Sequence, residues 1–334
     1  MTVQIKIFRK RNDDSMAKIQ KQSKQDGQVC LRKRKRFDAD TARLYSLCAI
    51  PVLLVLVFNY IPMVGIIIAF KDYKYNLGIF GSEWCGLKNF EYFVTSNDFA
   101  RIATNTIWLN ALFIVFGMAA AIMIAVLLYD LTSRALTKTF QTIMITPNFI
   151  SWVVAGFMVY GFLNPAYGIV NTALKSMGLN GVEWYSEPNL WPPILVIASI
   201  WKHVGMDSIL YYAALMGLDS SLFEAAEVDG ATKWQRNRYI LIPSLTGLVV
   251  VLTILKIGNI FRADFGLFYQ LTRNIGALYP TTDVMDTYIF RQLRFQGNIN
   301  LSSAAGLLQS VVGFVLVVVT NKIATTIDPS RGLF

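Results

Sequence analysis

No Gly-Lys pair occurs in the 334 residues of this chain, so it holds no G-x-x-x-x-G-K-[ST] phosphate loop and lacks the usual means of hydrolysing ATP. Histidine occurs once, at His203, and the sequence places no serine or cysteine beside it, which argues against nucleophilic catalysis. The three cysteines, Cys30, Cys48 and Cys85, show neither metal-ligand spacing nor an evident pairing, so no metal site and no function is assigned to them. Charge is scarce as well: 16% of residues are charged, against about 25% in an average soluble domain. In its place the chain is 54% hydrophobic with a mean hydropathy of +0.45, the balance of a polytopic membrane protein.

The formal net charge of +10 belongs to one end. Residues 1–43 hold 13 Lys or Arg and 5 Asp or Glu, leaving 18 and 16 for the remainder. The run Arg32-Lys33-Arg34-Lys35-Arg36 stands just before the first apolar segment. That is the place of a cytoplasmic flank under the positive-inside rule, within reach of anionic lipid head groups, and no nucleic-acid partner is expected from it. Residues 1–40 lack the apolar content to fold alone and are expected to form a disordered cytoplasmic tail. The apolar stretch that follows is too long for a signal-peptide core and shows no small-residue cleavage site, so it is expected to remain as an anchor.

Six segments approach or exceed the roughly 20 apolar residues that cross a bilayer. They lie at about 44–70, 105–129, 140–163, 191–217, 243–261 and 302–325. The expected fold class is therefore all-α, with six transmembrane helices. An even number places both termini on one side, and the basic tail makes that side cytoplasmic. The inside loops are then 130–139 and 221–243, and the outside loops 71–104, 164–190 and 262–301. Pro51 and Pro62 predict kinks in the first span.

The polar island 221–243 reads SLFEAAEVDGATKWQRNRYILIP. Ser221 and Glu224 have the form of a capping box, so a short helix is expected to begin there, with Ala225 and Ala226 leaving one face nearly bare. Asp229 and Gly230 supply a turn and a residue free to take positive φ. A second short helix is expected over 232–239, and Pro243 is expected to open the next apolar segment.

The order Glu224-Ala225-Ala226, Asp229-Gly230-Ala231, then Ile240-Leu241-Ile242-Pro243 resembles the EAA loop of ABC-importer permeases, with Ile242 where the family pattern has Leu. The resemblance implies a cytoplasmic coupling element in which Glu224, Ala225, Ala226, Asp229, Gly230, Ala231 and Pro243 seat in an ATP-hydrolysing partner. Further residues are similar to the polysaccharide and oligosaccharide branch of carbohydrate-uptake permeases. They are Ile257 through Tyr269, Asp286-Thr287-Tyr288, Ala305 through Ser310, Gly332-Leu333-Phe334, and, more weakly, Gly86 through Phe90 and Asn105-Thr106.

Ionisable residues inside apolar segments are costly and mark candidate sites. His203, Asp207 and Tyr211 recur every four residues and share a helix face, with Lys202 about 100° away. His203 and Asp207 are placed to pair with each other. Lys256, followed by Asn259 and Arg262, either binds substrate or pairs with Asp207. Basic groups facing a cavity would suit uronate or sulfated sugars. Asn148, Trp152, Gly156, Tyr160 and Asn164 form a stripe at successive i+4 positions, suited to lining a sugar path or to packing a neighbouring helix.

The family resemblance implies a non-enzymatic permease subunit of an ATP-driven importer for oligosaccharides or polysaccharide fragments in the bacterial cytoplasmic membrane. Its implied partners are a homologous second permease, two ABC ATPase subunits that use ATP and Mg, and an extracytoplasmic sugar-binding protein. This chain itself is expected to bind no cofactor. The expected division is a tail at 1–40, a first span and external loop at 41–104, and a permease core at 105–334 with its coupling loop at 218–243. The rival readings are a same-architecture permease for phosphate, polyamine or amino acid, a membrane enzyme using His203 and Asp207, and an anchor or receptor without transport.

Overall fold

A computed structural model of the chain describes residues 39–327, with side chains over 45–326. The N-terminal tail with Cys30 and the basic run, and the terminal Gly332-Leu333-Phe334, lie outside the described residues. The chain divides into two units, Met1–Val64 and Gly65–Phe334. In the first, α1 (Ala39–Val55) contains Pro51 and passes into a π turn over Leu56–Tyr60. A 3-10 run, Ile61–Phe70, follows and contains Pro62. Proline removes a helical donor, and this segment accommodates the loss by changing hydrogen-bond pattern.

The second unit carries α2 (Asn97–Tyr129), α3 (Arg134–Ile145), α4 (Trp152–Leu163), α5 (Trp191–Met216), α6 (Ser221–Val228), α7 (Lys233–Arg236), α8 (Thr246–Gly258), α9 (Phe265–Leu271), α10 (Met285–Arg294) and α11 (Ile299–Ile327). The strands among the described residues are β1 (Lys71–Asp72) and β2 (Glu83–Trp84), paired antiparallel. Asn89 ties this hairpin down by donating to the carbonyls of Ala69 and Lys71, both at 3.0 Å.

Four apolar segments are continuous helices of crossing length, Tyr45–Phe70, Asn97–Tyr129, Pro188–Met216 and Ile299–Thr326. The other two are bent pairs, Arg134–Phe149 with Trp152–Leu163 at 96° and Lys233–Ser244 with Thr246–Gly258 at 52°, so counting each pair as one span gives six. The first of these bends corrects the straight helix expected over 140–163. Pro147 sits in a 3-10 turn, Thr146–Phe149, and the Ser151 hydroxyl then accepts from the Val154 N–H to start a fresh helix.

The helix α2 also starts well before 105. Its polar first turns are held by Asn105, which donates to the carbonyls of Pro280 and Asp283 at 3.1 and 3.2 Å. Asp283 itself is buried and paired with Arg291 at 2.6 Å.

The core runs as three apolar clusters. Trp191, Leu195, Phe268 and Leu271 join α5 to α9. Phe93, Ile102, Met285 and Tyr288 join α2 to α10. Ala121, Ala125, Tyr211, Leu215 and Leu241 join the far ends of α2 and α5 to the segment before α8. The most extensive helix pairing is α2 along α5. Gly205 lets α5 approach α3 so closely that a Cβ there would overlap the Met144 carbonyl.

Candidate functional site

A cavity of about 460 Å³ opens between α2, α5 and α8. From α5 it receives Ser199, His203 and Asp207, and from α8 and the turn beyond it Lys256, Asn259 and Arg262. Asn110, Phe113 and Gly117 of α2 close the third side. Lys256 Nζ lies 2.8 Å from Asp207 Oδ2, so these two charges neutralise each other across α5 and α8. Arg262 makes no ion pair among the described residues, and the Asp286 carboxylate is the acidic group its charge acts on.

The turn that carries Arg262 is pinned from outside the cavity. Gln309 of α11 donates to the Phe261 carbonyl and to Asp286 Oδ2, both at 2.9 Å, and the Ala263 N–H donates to the same carboxylate oxygen at 2.7 Å. Burial pushes the Asp286 carboxyl up, with those donors and Arg262 working against it. Two residues on from Arg262, Asp264 accepts from the Leu267 N–H at 3.2 Å, capping α9, and from the Trp152 indole at 2.7 Å. Burial raises the Asp264 carboxyl, but His203 beside it, the Leu267 N–H and Trp152 together hold it below its ordinary range.

His203 Nε2 lies 3.9 Å from that same Asp264 oxygen. The expected pairing of His203 with Asp207 is therefore corrected. The break after α8 swings Asp264 toward His203, while Asp207 is taken by Lys256.

The second feature is an elbow at 219–245. The capping box expected at Ser221 does not form: Ser220 is the N-cap residue, with no side-chain cap, and the Asp219 carboxylate before it accepts from the Ser221 N–H at 3.0 Å. The backbone hydrogen bond from Ser221 holds the Asp219 carboxyl low. At the other end of α6 the Gly230 N–H donates to the Glu227 carbonyl and the Ala231 N–H to the Ala226 carbonyl, a Schellman closure with Gly230 at φ +72°. Thr232 and Gln235 then form a reciprocal capping box that opens α7.

Pro243 does not open the next span. The helix passes through a π turn, Asn237–Leu241, whose wider pattern tolerates the missing proline N–H, and Pro243 lies within Ile242–Ser244 before the 52° bend. Glu224 is exposed and its side chain has no partner among the described residues. The elbow is instead held by the Phe223 ring against Tyr129, with centroids 5.6 Å apart, and by Asp130, which accepts from Arg236 and from Asn237, the latter at 2.6 Å. Ala225 is exposed and Ala226 half-buried, and Leu222, Val228, Trp234 and Tyr239 stand exposed around the elbow.

Residues 113–332 match the family of binding-protein-dependent transport system inner membrane components. The chain belongs to that family. It is 34% identical to protein LplB of Bacillus subtilis (strain 168), covering 87% of this chain and 91% of that one. It is 33% identical to the polygalacturonan/rhamnogalacturonan transport system permease protein YteP of the same organism, over 80% of this chain and 83% of that one. A crystal structure of a bacterial ABC transporter involved in the import of the acidic polysaccharide alginate contains a chain similar at a TM-score of 0.77 and 33% identity, covering 85% of this chain and 96% of that one. This permease is accordingly a multi-pass transport subunit of an ABC importer and not an enzyme.

Within the permease, the residues singled out from sequence divide. His203, Asp207, Lys256, Asn259 and Arg262 meet at the cavity. Trp152 stands beside it through Asp264. The remainder do not line this cavity, and the expected stripe on the third span is broken because Asn148 lies before the 96° bend.

Lys202 is buried and donates to the carbonyls of Asn148, at 3.2 Å, and Ile150, with the Trp152 ring 5.0 Å away. Tyr160 packs under the Arg273 guanidinium at 4.1 Å. Asn164 Oδ1 accepts from the N–H groups of Ala166 and Tyr167. Tyr211 is buried in the apolar cluster near the elbow. Sequence reasoning missed Asn110, a lone amide in an apolar run, and Asp130 and Asp264, which lie just past span ends where hydropathy stops reporting.

Proposed function

We propose that this permease, with a homologous second permease and two ATPase subunits, forms an importer for oligosaccharides or polysaccharide fragments in the bacterial cytoplasmic membrane. An extracytoplasmic sugar-binding protein delivers the cargo. ATP and Mg act in the ATPase subunits, and this chain binds neither. The elbow faces the cytoplasm, as do both termini, and Leu222, Val228 and Trp234, exposed among polar neighbours, supply its apolar contact with an ATPase. Closure of the ATPase pair draws the elbows together and rocks the spans between inward-open and outward-open states.

The observation that carries the substrate reading is the cavity. Phe113 offers an aromatic face to sugar C–H groups, and Asn110 and Asn259 have amide oxygens that accept nothing from the described residues. Arg262, unpaired, favours cargo bearing carboxylates or sulfates. Support also comes from relatives named for polygalacturonan and alginate.

The test is uptake of uronate-containing and neutral oligosaccharides by the reconstituted importer. Arg262→Gln is expected to lower uptake of the acidic sugars about tenfold, the weight of one hydrogen bond to a charged group, while neutral sugars change little. An equal effect on both sets removes the acidic preference, and no saccharide uptake by the unaltered importer removes the saccharide reading.

A further inference from the structure

We propose that Asp130 is the positioning residue through which the elbow drives α2 and with it the wall of the cavity. The proposal rests on the reading of the elbow as the ATPase-docking element. Asp130 is the C-cap residue of α2, its N–H donating to the Val126 carbonyl. A carboxylate there faces the negative end of the helix dipole, so its local environment disfavours it. What compensates comes from the elbow: Arg236 donates to Oδ1 and Asn237 to Oδ2, so two consecutive residues grip both oxygens of one carboxylate. Arg236 and Asp130 are each about three-quarters shielded, at 24% and 21% side-chain exposure, which places the pair out of free solvent.

Geometry makes this grip mechanical. Asn237 begins the π turn Asn237–Leu241, and the other end of that turn, Leu241, is fully buried against α2 and α5. Elsewhere the elbow stands off from the 130–141 segment across a cavity of about 840 Å³ lined by Glu227 and Lys233 on one side and Arg134 and Lys138 on the other. Direct ties between elbow and α2 therefore concentrate at the Asp130 grip, the Phe223–Tyr129 ring contact and the buried Leu241 and Leu245. The helix that receives them also presents Asn110, Phe113 and Gly117 to the cavity. Displacement of the elbow is passed along this helix to the site, and an ion pair with a hydrogen bond fixes direction as well as distance, where an apolar contact is non-directional.

The experiment uses the complete reconstituted importer and reads substrate transported per ATP hydrolysed. Asp130→Ala, Asp130→Asn and the reversed pair Asp130→Arg with Arg236→Asp are compared, alongside a Val228→Cys crosslink to the ATPase that reports docking by itself. With the crosslink present in all variants, Asp130→Ala and Asp130→Asn are expected to lower the ratio about tenfold, within the usual range of a coupling interaction. The reversed pair is expected to recover most of it, which a merely structural loss would not do. A wild-type ratio in Asp130→Ala with docking intact overturns the assignment of Asp130, as does a reversed pair no better than Asp130→Ala. Absence of the crosslink in the Val228→Cys importer with Asp130 and Arg236 unchanged overturns the docking reading, and the assignment with it.

Discussion

At the level of single residues, the polar groups of the spans serve two different ends. Lys256 and Asp207 cancel each other across two helices, and Lys202 spends its charge on backbone carbonyls that the break before α4 leaves without helical donors. Arg262 forms no such close pair and lines the cavity, with Asp286 as the carboxylate its charge acts on. Asp264 is the residue whose titration this arrangement makes visible. A carboxyl held below its ordinary value contributes stability that is fully present above the unfolded pKa of about 4 and is lost as pH falls through the depressed folded value. Asp286, held above its ordinary value, has the opposite sign, since the folded chain then binds its proton more tightly than the unfolded one. Asp264→Asn is therefore expected to flatten the loss of thermal midpoint between pH 7 and pH 3 in detergent. Equal slopes for the two proteins would remove the assigned role of His203, the Leu267 N–H and Trp152 in holding this carboxyl low.

At the level of elements, the elbow shows how short helices hold a shape without a core of their own. A Schellman turn, a capping box and a π turn follow one another within residues 226–241, and Gly230 provides the one left-handed residue. A Cβ at Gly230 would meet nothing within 4 Å, so Gly230→Val acts through the backbone alone, at a cost of about 1–2 kcal/mol. It is expected to leave the six spans inserted while uptake per ATP falls severalfold, and Glu224→Lys, altering an exposed group, is expected to do the same through the docked partner. Coupled transport at wild-type efficiency in both variants would sink the coupling role of this loop.

Element positions were legible in the sequence wherever apolar run length decides them, as for α5 and α11. The elbow was legible through Asp229-Gly230 and the spacing to Pro243. The 96° break was not, because hydropathy runs on through Pro147 and an i+4 count presumes a straight axis. The true partners of His203 and Asp207 were hidden for a related reason: they come from residues 264 and 256, and helix-face arithmetic sees only its own helix.

At the level of the whole molecule, membership of a family of ABC-importer transport subunits puts the energy source in another chain. The purified permease is expected to show no ATP hydrolysis, and activity is expected to appear when the ATPase subunits copurify and to rise severalfold with the loaded binding protein. Hydrolysis by the permease alone, free of those subunits, would contradict this.

The length of α2 sets the scale on which such a machine works. Its 33 residues extend about 50 Å at 1.5 Å per residue, while the hydrocarbon layer is about 30 Å thick. The helix is thus a beam longer than the barrier it crosses. A tilt of about 5° moves one end of a rod of that length by roughly 4 Å relative to the other. That is comparable with the width of a sugar ring, so a small tilt of this one helix is magnified at its ends to the scale of a saccharide.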